Sequence, residues 1–433
     1  MTQASRKLLV VQAAGLGSDL VRRHPPTDPR LRFSKADPVF PAVTCTVQAT
    51  IRTAALPRTH GMVANGLFHR DLRRPLFWEQ SAALVQGPRI WDGLRAGGGR
   101  VGMLFWQQSL GERLDLALSP RPIHKHHGGM IPDCYSRPPE LYDRLCRALG
   151  RPFNLLHYWG PLASARSTDW IVAATREVMR DPALAPGLLF TYLPHLDYDL
   201  QRHGPDSPQA FQGLEEMYAH FSNLWKTAEQ AGYDVLLFGD YAMEPVREAV
   251  FPNRALREAG RMAVRTVACR AYPDFFESAA FAVADHQVAH VFLSEPAAAG
   301  PVRAILERLD GVADILDREA QARAGLDHPN AGELVLVAAE GRWFAYPWWT
   351  KRREAPDYAA HVDIHNKPGY DPCELFFGWP PPGVSQDPSR IRGSHGRTGP
   401  GLEVAWASSL RFEWPVASLL DLARAIAQHV STR

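Results

Sequence analysis

The 433-residue chain predicts an α/β fold, a mostly parallel sheet covered by helices on both faces. Three observations carry that prediction. Short continuous apolar runs recur at residues 8–12, 39–43, 101–105, 187–193 and 235–238, and runs of that length without alternation read as strands buried on both sides. Helical periodicity with stop signals occupies residues 208–232 and 416–430. The two kinds of segment alternate, as crossover-connected parallel strands require.

Taken in order, the strand at 8–12 runs into Gly15-Leu16-Gly17. Leu20 occupies the place of a third glycine, so this is read as a turn and not as a dinucleotide loop. The segment Val39-Phe40-Pro41-Ala42-Val43 reads as a short buried strand with Pro38 and Pro41 at its start, where a missing donor is tolerated. Thr44 opens a helix. A hydroxyl at such a corner serves either as a cap for the first-turn N–H groups or as a nucleophile favoured by the helix N-terminus, and the local pattern alone favours the cap. Two stretches read as additions to a core made of 1–65, 152–264 and 358–433. Residues 66–151, rich in Trp, Pro and Gly, form one near the site; residues 265–357, with strand-like runs at 288–293 and 333–337 and a helix near 302–309, form a cap.

Composition narrows the partners. Lys plus Arg number 48 against 46 Asp plus Glu, a formal net charge of +2, so no global field argues for nucleic acid or an acidic membrane, and a small-molecule substrate is expected. The N-terminal apolar run is interrupted by Gln12 and nothing resembles a signal peptide, which gives a cytoplasmic expectation. No apolar stretch is long enough to span a bilayer. The five cysteines, Cys45, Cys134, Cys146, Cys269 and Cys373, lack CxxC spacing and argue against disulfides or a zinc knuckle. His124-Lys125-His126-His127 sits between Pro122 and Gly128-Gly129 and reads as a solvated loop; Trp343, Phe344, Trp348 and Trp349 read as packing; no GxSxG elbow is present.

The stretch FPAVTCTVQAT followed by LPRTHGMVANG resembles the nucleotide pyrophosphatase/phosphodiesterase branch of the alkaline phosphatase superfamily, with its FPSVT and LxPxxHGIxxN signatures. The resemblance implies an alkaline-phosphatase-like core with cap insertions. It also implies that Thr44 is the nucleophile and that Asn65, twenty-one residues on, holds a phosphate oxygen. Further segments match in the family's order: PHLDYDLQRHGP, placing Asp197 on a metal-binding Asp; GDYAM, placing Asp240 on the second; and GSHG, placing His395 on the last His.

Three ligand positions depart from the family. Gln12 stands where the first strand would end in Asp, and Gln201 and Tyr241 stand where histidines follow the two metal Asp residues. A neutral amide is a weak ligand for a transition metal, and a phenol ligates only if its pKa is strongly lowered. The cofactor implied is therefore a divalent metal, zinc by resemblance, as one ion or none, with Asp197, Asp240, His395 and His365 as its ligands. Read as a strand, 361–372 places Asp363 and His365 on one face. Gln12, Gln201, His286 and Asp363 are expected to line the substrate, and His286 and His290 are also read as a pair packed under the cap. The segments around 284–290 and 361–372 are similar to those of bacterial nucleotide-pyrophosphatase-like proteins.

The function implied is hydrolysis or transfer at a phosphoester of a small molecule through Thr44, with Asn65 stabilising charge. Two alternatives keep the fold. One is a repurposed, metal-poor biosynthetic enzyme in which Tyr241 or a histidine carries a proton; the other is a catalytically silent binding protein.

Overall fold

The computed structural model describes residues 7–126 and 129–431, so His127 and the first six residues of the N-terminal segment lie outside the described residues. The labelled strands are β1 (Lys7–Ala13), β2 (Ser34–Ala36), β3 (Val101–Leu104), β4 (Leu116–Pro120), β5 (Cys134–Arg137), β6 (Leu188–Leu193), β7 (Tyr233–Gly239), β8 (Ala280–Asp285), β9 (Val288–Leu293), β10 (Val312–Leu316), β11 (Leu334–Ala338) and β12 (Val404–Ser408).

Eight strands form the main sheet in the order β2-β12-β7-β1-β6-β3-β4-β5. The five in the middle, from β7 to β4, are parallel, and β2, β12 and β5 complete the edges antiparallel. Apart from Lys7, the residues of β1 are buried, as a central strand packed on both faces requires. The helices Ala165–Arg180, His195–His203 and Pro208–Ala231 pack together, and Leu419–Ser431 packs on Thr44–Thr53; the sheet lies between these layers.

Local chemistry explains where the long helices start and stop. Ser207 Oγ accepts from Ala210 N and Gly232 closes the helix in a left-handed turn, φ 75°, so Pro208–Ala231 fills the span read from the sequence. The last helix starts at Leu419, three residues later than the periodicity indicated. Ser418 Oγ accepts from Asp421 N while the Asp421 carboxylate accepts from Ser418 N, a reciprocal box that sets the boundary.

Two sequence expectations change. Residues 39–43 are not a strand: Ala42 N donates to Gly396 O and Val43 N to Pro41 O, so the backbone donors go to loop carbonyls and none to a neighbouring strand. Within residues 66–151, β3, β4 and β5 are members of the main sheet, so that stretch is built into the core instead of being added to it. Residues 265–357 carry a separate antiparallel sheet, β8-β9-β11-β10. Its apolar face joins a second core that includes Trp348, Trp349 and Phe344.

Candidate active site

The central strands β7, β1 and β6 end side by side, with Gln12 in register with both Tyr192 and Phe238. In an open parallel sheet this edge is where ligands bind. Gln12 is the penultimate residue of β1. Asp197 lies in the first turn of His195–His203, directly after β6, and Asp240 follows the last residue of β7. That last residue is Gly239, where a Cβ would stand 2.2 Å from Leu16 O. The glycine lets the loop after β1 close down on the strand end. Gly15, at φ 72°, then aims its N–H at Asp240 Oδ1, 3.1 Å away.

Thr44 is the first residue of the Thr44–Thr53 helix, and the N-cap position belongs to Val43, so its hydroxyl does not cap. It points instead to Asp240 Oδ2 at 3.4 Å. The same oxygen accepts from Gln12 Nε2 at 2.7 Å, and Oδ1 accepts a second bond from Tyr241 N at 3.0 Å. Burial lifts the Asp240 carboxyl to about 7, against the opposing pull of the Gln12 amide.

Asp197 is bonded just as tightly. Tyr241 donates its hydroxyl to Oδ1 at 2.9 Å and Gln201 Nε2 donates to Oδ2 at 2.5 Å; Tyr370 in turn donates to Gln201 Oε1 at 2.9 Å. Burial raises the Asp197 carboxyl and holds the Tyr241 and Tyr370 phenols well above their ordinary range, so both tyrosines stay protonated donors. His395 Nδ1 donates to Ala42 O at 2.8 Å, and its Nε2 is 4.0 Å from Asp197 Oδ1. Burial pushes its basicity well below the usual range, so the imidazole is neutral and this proximity is not an ion pair.

A column of four rings runs through the site. Tyr241 stacks on His395 (centroids 3.4 Å), His395 meets His286 at a tilt of 35° (3.8 Å) and His286 stacks on Tyr370 (3.7 Å). His286 is the first residue of the two-residue turn joining β8 to β9, where a positive φ is needed; it adopts φ 60° without being glycine, a strained placement. The turn is tied down by Gln287 N donating to His395 O and Phe344 N donating to His286 O.

Asn65 is held from three directions. Its Oδ1 accepts from Cys45 N at 3.0 Å, while its backbone N and its Nδ2 donate to the two oxygens of Asp285 at 2.7 and 3.1 Å. Asp285 Oδ1 also accepts from His286 Nδ1 at 2.7 Å. Thus Gln12, Thr44, Asn65, Asp197, Gln201, Asp240, Tyr241, His286 and His395 fall into one buried, hydrogen-bonded and stacked constellation.

Asp363 and His365 fall outside it. Residues 364–366 form a turn, not a strand, because the Asp363 carboxylate accepts from Asn366 N and Nδ2, so the expected shared strand face does not exist. His365 Nδ1 donates to Phe77 O at 3.1 Å, and no hydrogen bond or ring contact joins either residue to Asp197, Asp240 or His395. His290 bridges Val63 O and Gly332 N and is a structural residue. The residues that sequence reasoning missed are Asp285, Tyr370 and the Gly15 amide. Asp285 could have been found: a polar pair, Asp285-His286, interrupts two apolar strand runs.

The constellation does not fit a pair of divalent cations. The Asp240 and Asp197 oxygens face N–H and O–H donors, Tyr241 is a protonated phenol, and among the described residues no group of three or more His, Cys, Asp or Glu side chains is placed to hold a metal. None of the hydrogen bonds to these carboxylates comes from Lys or Arg. Among the described residues, no helix is long and apolar enough to cross a membrane.

The profile of the family described as type I phosphodiesterase / nucleotide pyrophosphatase matches residues 30–371. The fold is similar to that of phosphonoacetate hydrolase from Sinorhizobium meliloti 1021 in complex with phosphonoformate, at 17% identity and a TM-score of 0.63, covering 99% of this chain and 95% of that one. It is also similar to murine ectonucleotide pyrophosphatase / phosphodiesterase 5, at 15% identity and a TM-score of 0.61, covering 98% and 95%. The inactive threonine-to-alanine variant of the murine protein, in complex with AMP, matches at 14% identity, a TM-score of 0.61 and the same coverage. No curated protein matches the sequence.

Proposed function

The chain belongs to the type I phosphodiesterase / nucleotide pyrophosphatase family, and from that premise we propose that it hydrolyses or transfers a phosphoester group of a small molecule with Thr44 as nucleophile. The observation that carries this reading is the Thr44 hydroxyl at the open N-terminus of a ten-residue helix, directed at Asp240 instead of capping. In the murine structural neighbour, replacing a threonine by alanine gives the inactive form that binds AMP.

Thr44 Oγ1 attacks phosphorus in line, the bond to the leaving oxygen breaks, and the hydroxyl proton passes to Asp240 Oδ2. A carboxyl lifted to about 7 is suited to accept that proton near neutrality and return it. Gln12 and the Gly15 amide keep Asp240 in place. The charge that develops on the phosphoryl oxygens would be met by the first-turn N–H groups other than that of Cys45, which Asn65 Oδ1 occupies, and by the Asn65 Nδ2 hydrogen not given to Asp285. Water then attacks the phospho-Thr44 ester and regenerates the hydroxyl; an alcohol in its place gives transfer. The segment 265–357 acts in this reading as a cap that brings Asp285 and His286 to the site.

The test is to incubate the protein with aryl phosphodiesters, quench in acid and map phosphorylated residues by mass spectrometry. Phosphate on Thr44, absent in Thr44→Val, is expected; turnover that persists in Thr44→Val would overturn the assignment.

A further inference from the structure

We infer that the substituted residues Gln12, Gln201 and Tyr241 close Asp197 and Asp240 against divalent metal, so that the site is organised by the chain's own hydrogen bonds where relatives with the full ligand set would hold two ions. The inference concerns the site assigned above and rests on that assignment.

An ionised carboxylate offers about four lone-pair directions. At Asp240 all are taken: Gly15 N and Tyr241 N on Oδ1, Gln12 Nε2 and Thr44 Oγ1 on Oδ2. Asp197 spends one oxygen on the Tyr241 hydroxyl and the other on Gln201 Nε2. The amide of Gln201 cannot turn its oxygen toward Asp197 cheaply, because that oxygen accepts from Tyr370, itself stacked on His286. Tyr241 is fixed in the same way by its stack on His395, 2° from parallel. His395 Nε2, its lone pair free, stands 4.0 Å from Asp197 Oδ1, and that nitrogen with a carboxylate already carrying a donor on each oxygen falls short of the three or four ligands that a zinc site needs. An ion entering at Asp240 would have to displace a buried donor, and one entering at Asp197 would have to crowd against two donors that are each held by a second partner.

A metal count on stripped protein reads this directly. Wild type and the triple variant Gln12→Asp/Gln201→His/Tyr241→His are freed of metal, dialysed to equilibrium against graded free zinc, and counted by elemental analysis; cobalt is used in parallel for its visible bands. Wild type is expected to load at least about 100-fold more weakly than the triple variant, with no tetrahedral cobalt spectrum. Two zinc ions per wild-type chain, held as tightly as in the triple variant, would overturn the closure. Should the triple variant fail to fold, the cobalt spectrum of wild type decides alone: tetrahedral bands refute the inference and their absence supports it. The outcomes separate from those of the nucleophile. Tight zinc with phospho-Thr44 sinks the closure and leaves the chemistry, whereas weak zinc without phospho-Thr44 leaves the closure and sinks the chemistry.

Discussion

Tyr241 lies flat on His395, ring centroids 3.4 Å apart and planes 2° from parallel, and from that position delivers its hydroxyl to Asp197. At this position the phenol offers Asp197 a hydrogen-bond donor and no phenolate oxygen for a cation.

Tyr241→Phe keeps the stack and removes only the O–H. With Asp197 Oδ1 left short of its donor in a buried site, the folded state is expected to lose about 1–3 kcal/mol, measured by urea unfolding. Tyr370→Phe should cost a similar amount through Gln201 Oε1. Because both hydroxyls feed Asp197, directly or through Gln201, the double variant should lose less than the sum. Strict additivity would show that the network does not act as a unit.

Thr44→Ser retains a hydroxyl at the helix start and should keep the phosphorylated intermediate, while Thr44→Val abolishes it. Asn65→Ala should lower the rate by about 10²–10³ through lost oxyanion stabilisation. A rate for Asn65→Ala equal to wild type would remove that residue from the chemistry.

The pH dependence of stability has a limb from Asp240. Its carboxyl, lifted by burial to about 7, holds a proton in the folded protein that the unfolded chain, near 3.8, has already lost. The contribution is full below the unfolded value and is lost as pH rises through about 7. The melting temperature should therefore fall between pH 5 and 8, and Asp240→Asn should flatten that fall. An unchanged slope in the variant would assign the limb elsewhere.

The acid limb runs the other way. His290, pushed down to about 4 by burial, is neutral between Val63 O and Gly332 N, whereas the unfolded chain takes up its proton near 6.5. Stability is lost as pH drops from 6.5 toward 4, and His290→Gln should make thermal unfolding less acid-sensitive over that range.

Thr44, Asn65, Asp197, Asp240 and His395 each stand out in the sequence inside a short ordered motif, and the structure brings them together, Asp197 and Asp240 just beyond the ends of β6 and β7 and Thr44 at the start of a helix. The misreadings have one physical origin. A period of two puts Asp363 and His365 on one strand face, but an Asp three residues before Asn can satisfy the backbone locally, and the turn wins over the strand. The reading of 39–43 failed similarly, since apolar character says a segment is buried and not whom its backbone will pair with. The polar pair Asp285-His286 marks a site within an apolar hairpin, but that Asp285 reaches Asn65 and Tyr370 reaches Gln201, each more than a hundred positions away, no local pattern encodes.

Asp285 belongs to the antiparallel sheet of residues 265–357, yet two of its bonds go to Asn65 beside the nucleophile. Any swing of that sheet away from the strand ends therefore strips Asn65 of its anchor and drags the ring column with it, since the neighbouring Gln287 amide grips the His395 carbonyl. Asn65 and the His395 end of the ring column are thus tethered to one and the same sheet, so the two cannot be displaced independently of each other.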